Sequence, residues 1–246
     1  MINNRQEFVQ YQGKKYKINN GELQLPYHIR FETFDEIEGL ESINSLKKLH
    51  CESFYLKKIE HLDHLQNLET LILQDCPRLS KIENLDSLIN LKVLDFTDSN
   101  ISKIENLENL NNLEVLRLGK SFETSCEEYI TEIKGLENLT NLKELELFGN
   151  RIKIIQGLDA LINLEYLDLS YNQIKEIKGL ENLINLKELR LLSNKITEIK
   201  SLENLINLKI LRLNENGPFN SISIKILEDM KESGIDIGYK SPYGRD

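Results

Sequence analysis

The chain has 246 residues, 40% of them hydrophobic, with no tryptophan and a formal net charge of -9. A negative chain is repelled by polyanions, which argues against nucleic acid and anionic membrane surfaces as primary partners. No run approaches the ~18 apolar residues of a membrane span, and the N-terminal MINNRQEFVQYQGKKYK has no apolar stretch of signal-peptide length.

In chain order, residues 7–19 (EFVQYQGKKYKIN) alternate around Gly13 and predict a β-hairpin. The following GELQLPYHIRF puts Leu23, Leu25, Tyr27, Ile29 and Phe31 on one face. Both stretches predict a β-type N-terminal cap, with residues 1–23 as the cap segment. Phe34, Ile37, Leu40 and Ile43 then announce a repeat that becomes regular from Leu46.

Segments opening at Leu142, Leu164 and Leu186 are each 22 residues long, with apolar residues at positions 1, 4, 6, 11, 14, 17 and 20 and Asn at 9 and 22. Upstream, Leu46 and Leu91 open repeats of 22 residues, Leu68 one of 23, and Leu113 one of 29. Leu208 opens a partial eighth. Positions 3 to 7 alternate in and out, as a short strand must. Steps of three from position 11 suit tight turns or short 3-10 pieces better than a long helix. One repeat cannot bury its own leucines, so neighbours must stack. The position-9 amide has a structural task, to bond backbone groups in the turn leaving each strand. Asn150, Asn172, Asn194 and Asn216 fill that column, but Phe54, Cys76, Ser99 and Ser121 stand there in the first half. Cys and Ser can serve and Phe cannot, so the first half should be less regular.

This register resembles the leucine-rich-repeat family, whose LxxLxLxxN/CxL motif recurs here in frame over roughly residues 24–216. The 22-residue length and Ile-rich second half are similar to the regulatory repeat protein of phosphatase-1 and to internalins. The resemblance implies an α/β solenoid, a right-handed horseshoe or arc with a parallel sheet lining its concave face and short 3-10 pieces and turns on its convex side.

Two features interrupt the repeat. Residues 121–129 (SFETSCEEY) lengthen the fourth repeat by seven residues just after its strand and should project from one sheet edge. Beyond Asn216, Asn220 or Ser221 can cap a helix with Ile222, Ile226, Leu227 and Met230 as its apolar stripe, and Gly234 stops it. Residues 217–246 are read as the C-terminal cap. Ile235 and Ile237 can add a strand, and KSPYGRD should fray.

No constellation points to chemistry. His61 and His64 form the one close histidine pair, but a zinc site needs three or four converging ligands, so both are read as solvated surface. Cys51 holds a core position and Cys76 the position-9 slot. Cys126 lies in the insertion and is expected near the surface, inert beside Glu127 and Glu128. Three scattered cysteines do not make a disulfide framework and fit a reducing compartment. The chain has no GxSxG, P-loop or dinucleotide fingerprint.

The outward positions carry the functional signal. Phe148, Tyr166, Tyr171 and Leu192 fall in three consecutive repeats and should be neighbours. Lys120 and Tyr171, at position 8, are expected at the strand exits. The position-5 row runs Arg117, Glu146, Asp168, Arg190, Arg212, placing like charges side by side. Exposed aromatics beside arginines are the composition of a binding hot spot. The sequence therefore predicts a cytoplasmic, non-enzymatic interaction module, a scaffold or regulatory subunit. It should be monomeric when unbound, with no cofactor or metal. Another protein should dock through Phe148, Tyr166, Tyr171, Leu192, Arg117, Asp168, Arg190 and Arg212. A secreted or surface adhesin of internalin type is the alternative.

Overall fold

The computed structural model describes residues 7–27 and 29–239; the expected frayed tail, 240–246, lies outside them. The N-terminal hairpin pairs β1 (Phe8–Tyr11) with β2 (Lys14–Lys17) antiparallel. Its turn places Gln12 and Gly13 at φ of 48° and 76°, a twist that suits adjoining strands.

Ten further strands form a single parallel sheet in chain order. They are β3 (Glu22–Leu25), β4 (Lys48–Glu52), β5 (Thr70–Gln74), β6 (Val93–Asp95), β7 (Val115–Arg117), β8 (Glu144–Glu146), β9 (Tyr166–Asp168), β10 (Glu188–Arg190), β11 (Ile210–Arg212) and β12 (Asp236–Gly238). The repeat frame predicts β4 to β11; β3 extends the sheet at one end, and β12, anticipated from the Ile235–Ile237 pair, at the other. Residues at equal repeat positions pair, as in Leu145, Leu167, Leu189 and Leu211. The register holds across the lengthened repeat, where Leu116 pairs with Leu145, so the extra residues are accommodated outside the sheet. Tyr27 departs from the predicted inner face and is exposed. The strand ends before Pro26, whose carbonyl accepts the Ile29 N–H at 3.0 Å, and that turn breaks the alternation.

The inward leucines and isoleucines join into one core running the length of the stack. On the convex side the chain turns by successive three-residue steps, as in Leu161 N–H to Leu158 and Leu164 N–H to Leu161, both 3.0 Å. Short 3-10 turns form at Phe34–Glu36 and Leu40–Ser42.

Asparagine columns lock neighbouring turns together. The Asn172 amide donates to Leu147 and Leu169 carbonyls at 2.9 and 3.1 Å, and its oxygen accepts the Ile152 N–H at 2.9 Å. The position-22 column works on the outer surface, where Asn163, Asn185 and Asn207 donate to Thr140, Ile162 and Ile184 carbonyls one repeat earlier. His64 does the same toward Leu40, with a ring nitrogen 2.9 Å from that carbonyl. It is half-buried and bonded, a correction to the solvated reading; His61 stays exposed.

The first half replaces the position-9 asparagine in varied ways. Ser99 donates to the Leu73 carbonyl at 2.9 Å, and the Cys76 thiol to that of Gln74 at 3.2 Å. Phe54 turns outward, and buried Ser53, one residue earlier, bonds the Ile29 carbonyl at 3.2 Å. Ser121 is exposed and does not serve. The preceding residue, Lys120, is buried instead, and its ammonium reaches the Ser99 and Ile101 carbonyls. Lys120 therefore does not belong to the outer surface: a long cationic donor bridges a turn that the insertion has widened. Cys126 is also buried, with its thiol directed at the Asp98 carbonyl, 3.3 Å away. Burial, ahead of neighbouring charge, raises its pKa.

At the C-terminal end α1 (Ser221–Glu232) is capped by Asn220, which accepts the Ser223 N–H at 2.8 Å. Ile224 and Leu227 are its buried apolar residues, with Ile226 and Met230 partly buried beside them. Ile222, expected in the stripe, is 70% exposed, because Ser223 takes the inner position of the first turn and accepts the Ile199 N–H at 2.9 Å. Gly234, at φ 94°, ends the helix in the left-handed conformation that glycine adopts without strain.

Candidate interaction surface

Strand geometry turns positions 3, 5 and 7 away from the leucine stack. On β8 to β11 and the turns that follow, those side chains surround a shallow hollow of about 550 Å³. Phe148, Tyr166, Asp168, Tyr171, Arg190, Leu192 and Arg212 all line it. Arg117 lies on the neighbouring strand β7, paired in register with Glu146, and is not part of the lining.

The aromatic walls have identifiable supports. Phe148 lies over Gly119, where a Cβ would fall inside the ring, so the glycine at position 7 makes room for the aromatic of the next repeat. Tyr166 carries the Arg190 guanidinium 5.3 Å from its ring centroid, a cation–π contact. Burial and nearby Asp168 push the Tyr166 phenol pKa up. Tyr171 takes a left-handed conformation, φ 56°, leaving its strand. It meets Phe122 edge-on, with ring centroids 4.6 Å apart.

Phe122 is the residue that the sequence does not assign. It belongs to the insertion in repeat four, yet reaches Tyr171 in repeat six, and it is 81% exposed. Gly149 allows this path, because a Cβ there would collide with the Lys120 carbonyl. The insertion and the sheet face thus meet at one edge of the hollow. The signal in the sequence is the pairing of a seven-residue insertion with Gly149 one repeat later.

The like-charged neighbours are present: Glu146 pairs in register with Asp168, and Arg190 with Arg212. The arginines, however, are turned to acids of the chain itself. Arg190 pairs with Glu188 at 2.6 Å and Arg212 with Asp236 at 2.5 Å. Arg117 is shared by Glu144, Glu146 and Asp95 at 2.5, 3.4 and 3.5 Å. Asp168 is largely buried and accepts the Ser170 N–H at 2.8 Å, so much of its task is to hold the turn. Glu146 lies deeper than an ordinary surface acid. Burial raises its carboxyl to about 7, with Glu144 and Asp168 adding to the rise and Arg117 opposing it.

Among the described residues no group of three His, Cys, Asp or Glu converges as a metal site would require, and no described helix is long and apolar enough to cross a membrane.

Residues 140–182 and 162–204 match the family described as Leucine Rich repeats (2 copies). No curated protein sequence matches the chain. Among solved structures, internalin C2 of Listeria monocytogenes aligns at 24% identity and TM-score 0.57, over 89% of this chain and 80% of its own. The LRR protein LIC12759 of Leptospira interrogans aligns at 24% and 0.63, over 87% and 59%. The TLR13–ssRNA13 complex aligns at 26% and 0.62, over 76% of this chain but 27% of that chain. These likenesses, with the stacked register, establish the fold.

Proposed function

We propose that this leucine-rich-repeat solenoid is a non-catalytic protein-interaction module, a scaffold or regulatory subunit, which holds a partner protein on its concave face across repeats five to eight. The observation that carries the reading is the aromatic-walled hollow. Phe148, Tyr166, Tyr171 and Leu192 surround it, while the stack is held by a separate set of inward leucines. Large aromatic residues gathered at one patch supply the rigid, amphipathic area typical of interface hot spots. Phe122 extends that area at the edge.

Other readings fit less well. The TLR13 complex contains ssRNA13, but this chain's net charge of -9 would repel such a ligand. The likeness to an internalin favours the adhesin alternative, whereas three free, buried thiols suit the cytoplasm. The test is affinity capture from the native organism with the wild-type chain and Tyr166→Ala, followed by calorimetry on the captured protein. The variant is expected to melt like the wild type and to lose ~2 kcal/mol or more of affinity. Equal affinity in both would move the site off this face.

A further inference from the structure

We infer that the partner segment filling the hollow is basic: an extended stretch of chain that presents a lysine or arginine to Glu146, among the rings of Phe148, Tyr166 and Tyr171. This rests on the concave-face reading above and adds the chemistry of the occupant.

The floor from β6 to β12 carries Asp95, Glu144, Glu146, Asp168, Glu188 and Asp236 against Arg117, Arg190 and Arg212. Each arginine is already engaged, Arg190 with Glu188, Arg212 with Asp236, and Arg117 with three carboxylates at once. The positive charge that the sequence offers to a partner is therefore spent within the chain. Above pH ~7, where the Glu146 carboxyl is ionised, what remains uncompensated is negative and centred on Glu146, which has a share in one guanidinium, and on Asp168 behind it, which among the described residues has no cation within ion-pair distance. A partner cation would replace the solvation that burial removes from Glu146. Aromatic faces beside it favour the same charge.

The shape fits an extended segment. The hollow spans β8 to β11, four strands about 4.8 Å apart, so about 14 Å across, the length of roughly four extended residues. An acidic segment would meet the carboxylates unpaired. A neutral one would use the rings but leave Glu146 with only its share of the Arg117 guanidinium. The net charge of the chain, -9, also steers basic partners toward it and acidic ones away.

The test uses three synthetic peptides, acetyl-Gly-X-Leu-X-Tyr-X-Gly-amide with X as Arg, Gln or Glu, titrated into the isotope-labelled full chain and followed by amide shifts. The Arg peptide is expected to move the amides of β8 to β11 and to bind at least about tenfold tighter than the Gln peptide, as a charge-assisted contact should. The Glu peptide should not bind. Glu146→Gln should bring the Arg peptide down to the affinity of the Gln peptide while leaving the spectrum of the stack in place. Equal binding of the Arg and Gln peptides on β8 to β11 would overturn the basic partner and leave the concave face as the docking site. Tighter binding of the Glu peptide would do the same. If no peptide binds, the basic-segment inference fails, and the capture experiment with Tyr166→Ala still decides the face itself. Shifts confined to the convex turns would overturn both.

Discussion

Asn172→Ala removes a buried side chain that makes no contact with the proposed partner's chemistry, so its cost measures the stack alone. The amide donates to the carbonyls of Leu147 and Leu169, with the Ser170 carbonyl, already bonded by the Gly149 N–H, sharing it at 3.1 Å, and its oxygen takes the Ile152 N–H. The two carbonyls are not orphaned, because Asn150 also bonds Leu147 and Asn194 also bonds Leu169. The Ile152 N–H, by contrast, has no second partner among the described residues. An orphaned buried donor costs ~1–3 kcal/mol, and each lost amide bond a net ~0.5–1.5 kcal/mol. The sum is about 2–6 kcal/mol. Asn185→Ala, which deletes one exposed bond to Ile162, should cost ~1 kcal/mol or less. Asn172→Ser should recover part of the loss, since Ser99 serves its turn with one hydroxyl. Guanidinium unfolding of the three variants, compared at equal m-value, makes the measurement. Equal losses for Asn172→Ala and Asn185→Ala would refute the claim that the inner asparagines hold the turns.

Leu167 is 0% exposed, and Leu167→Ala should cost ~2–5 kcal/mol in the same assay. Deleting residues 217–246 strips α1 and β12 from the last turn, and light scattering should report aggregation; an unchanged monomer with an unchanged melt would count against the capping role. Gly119→Ala drives a methyl into the Phe148 ring and should lower stability by ~1–3 kcal/mol, a penalty that disappears in the Phe148→Ala background. Folding raises the Glu146 carboxyl from 4.5 to about 7, so the folded chain holds that proton more tightly than the unfolded one. Stability from this group is then lost as pH rises from about 4.5 to 7. Melting curves of the wild type should fall over that window relative to Glu146→Gln, and parallel profiles would show that Glu146 titrates as an ordinary surface acid.

The fold was legible because stacking imposes one rule on every repeat. A leucine at position 4 must point inward in each turn, so in-register recurrence identifies the strand, its face and its neighbours together. The eight strands β4 to β11 follow from that rule. What it could not deliver was the direction of long side chains. Arg190 and Arg212 sit on the outward row where the sequence puts them, but whether a guanidinium faces a partner or an acid two residues or one strand away depends on torsions that periodicity does not set. Position 8 was ambiguous for a related reason. Tyr171 stays at the surface because an aromatic ring gains little in a turn full of carbonyls, while Lys120 goes inside because it alone supplies the missing donor where Ser121 has been drawn off. A substitution at position 9 is therefore a cue to inspect position 8, and Ser53 obeys the same cue beside Phe54.

The charge pattern of position 2 separates what holds the stack from what it offers. Lys47, Glu69, Lys92, Glu114, Lys143, Glu165 and Lys187 alternate in sign along the edge where the chain enters the sheet, and Lys209 in the eighth repeat ends the alternation. Lys92, Lys143 and Lys187 each reach the acid one turn before, at 2.7, 2.7 and 2.6 Å. Exposed pairs of this kind add little stability, but a slip of one whole repeat would set like charges together from Lys47 to Lys187, so the stripe opposes misregister over repeats one to seven. The edge where the chain leaves the sheet has no such stripe. There the lengthened fourth repeat, Gly149 and Lys120 together let Phe122 cross a whole repeat to Tyr171. One edge is self-complementary and closed by its own charges; the other leaves an aromatic pair beside an under-compensated acid. The interruption of the repeat and the hollow thus meet at Tyr171, which lines the hollow and packs against Phe122.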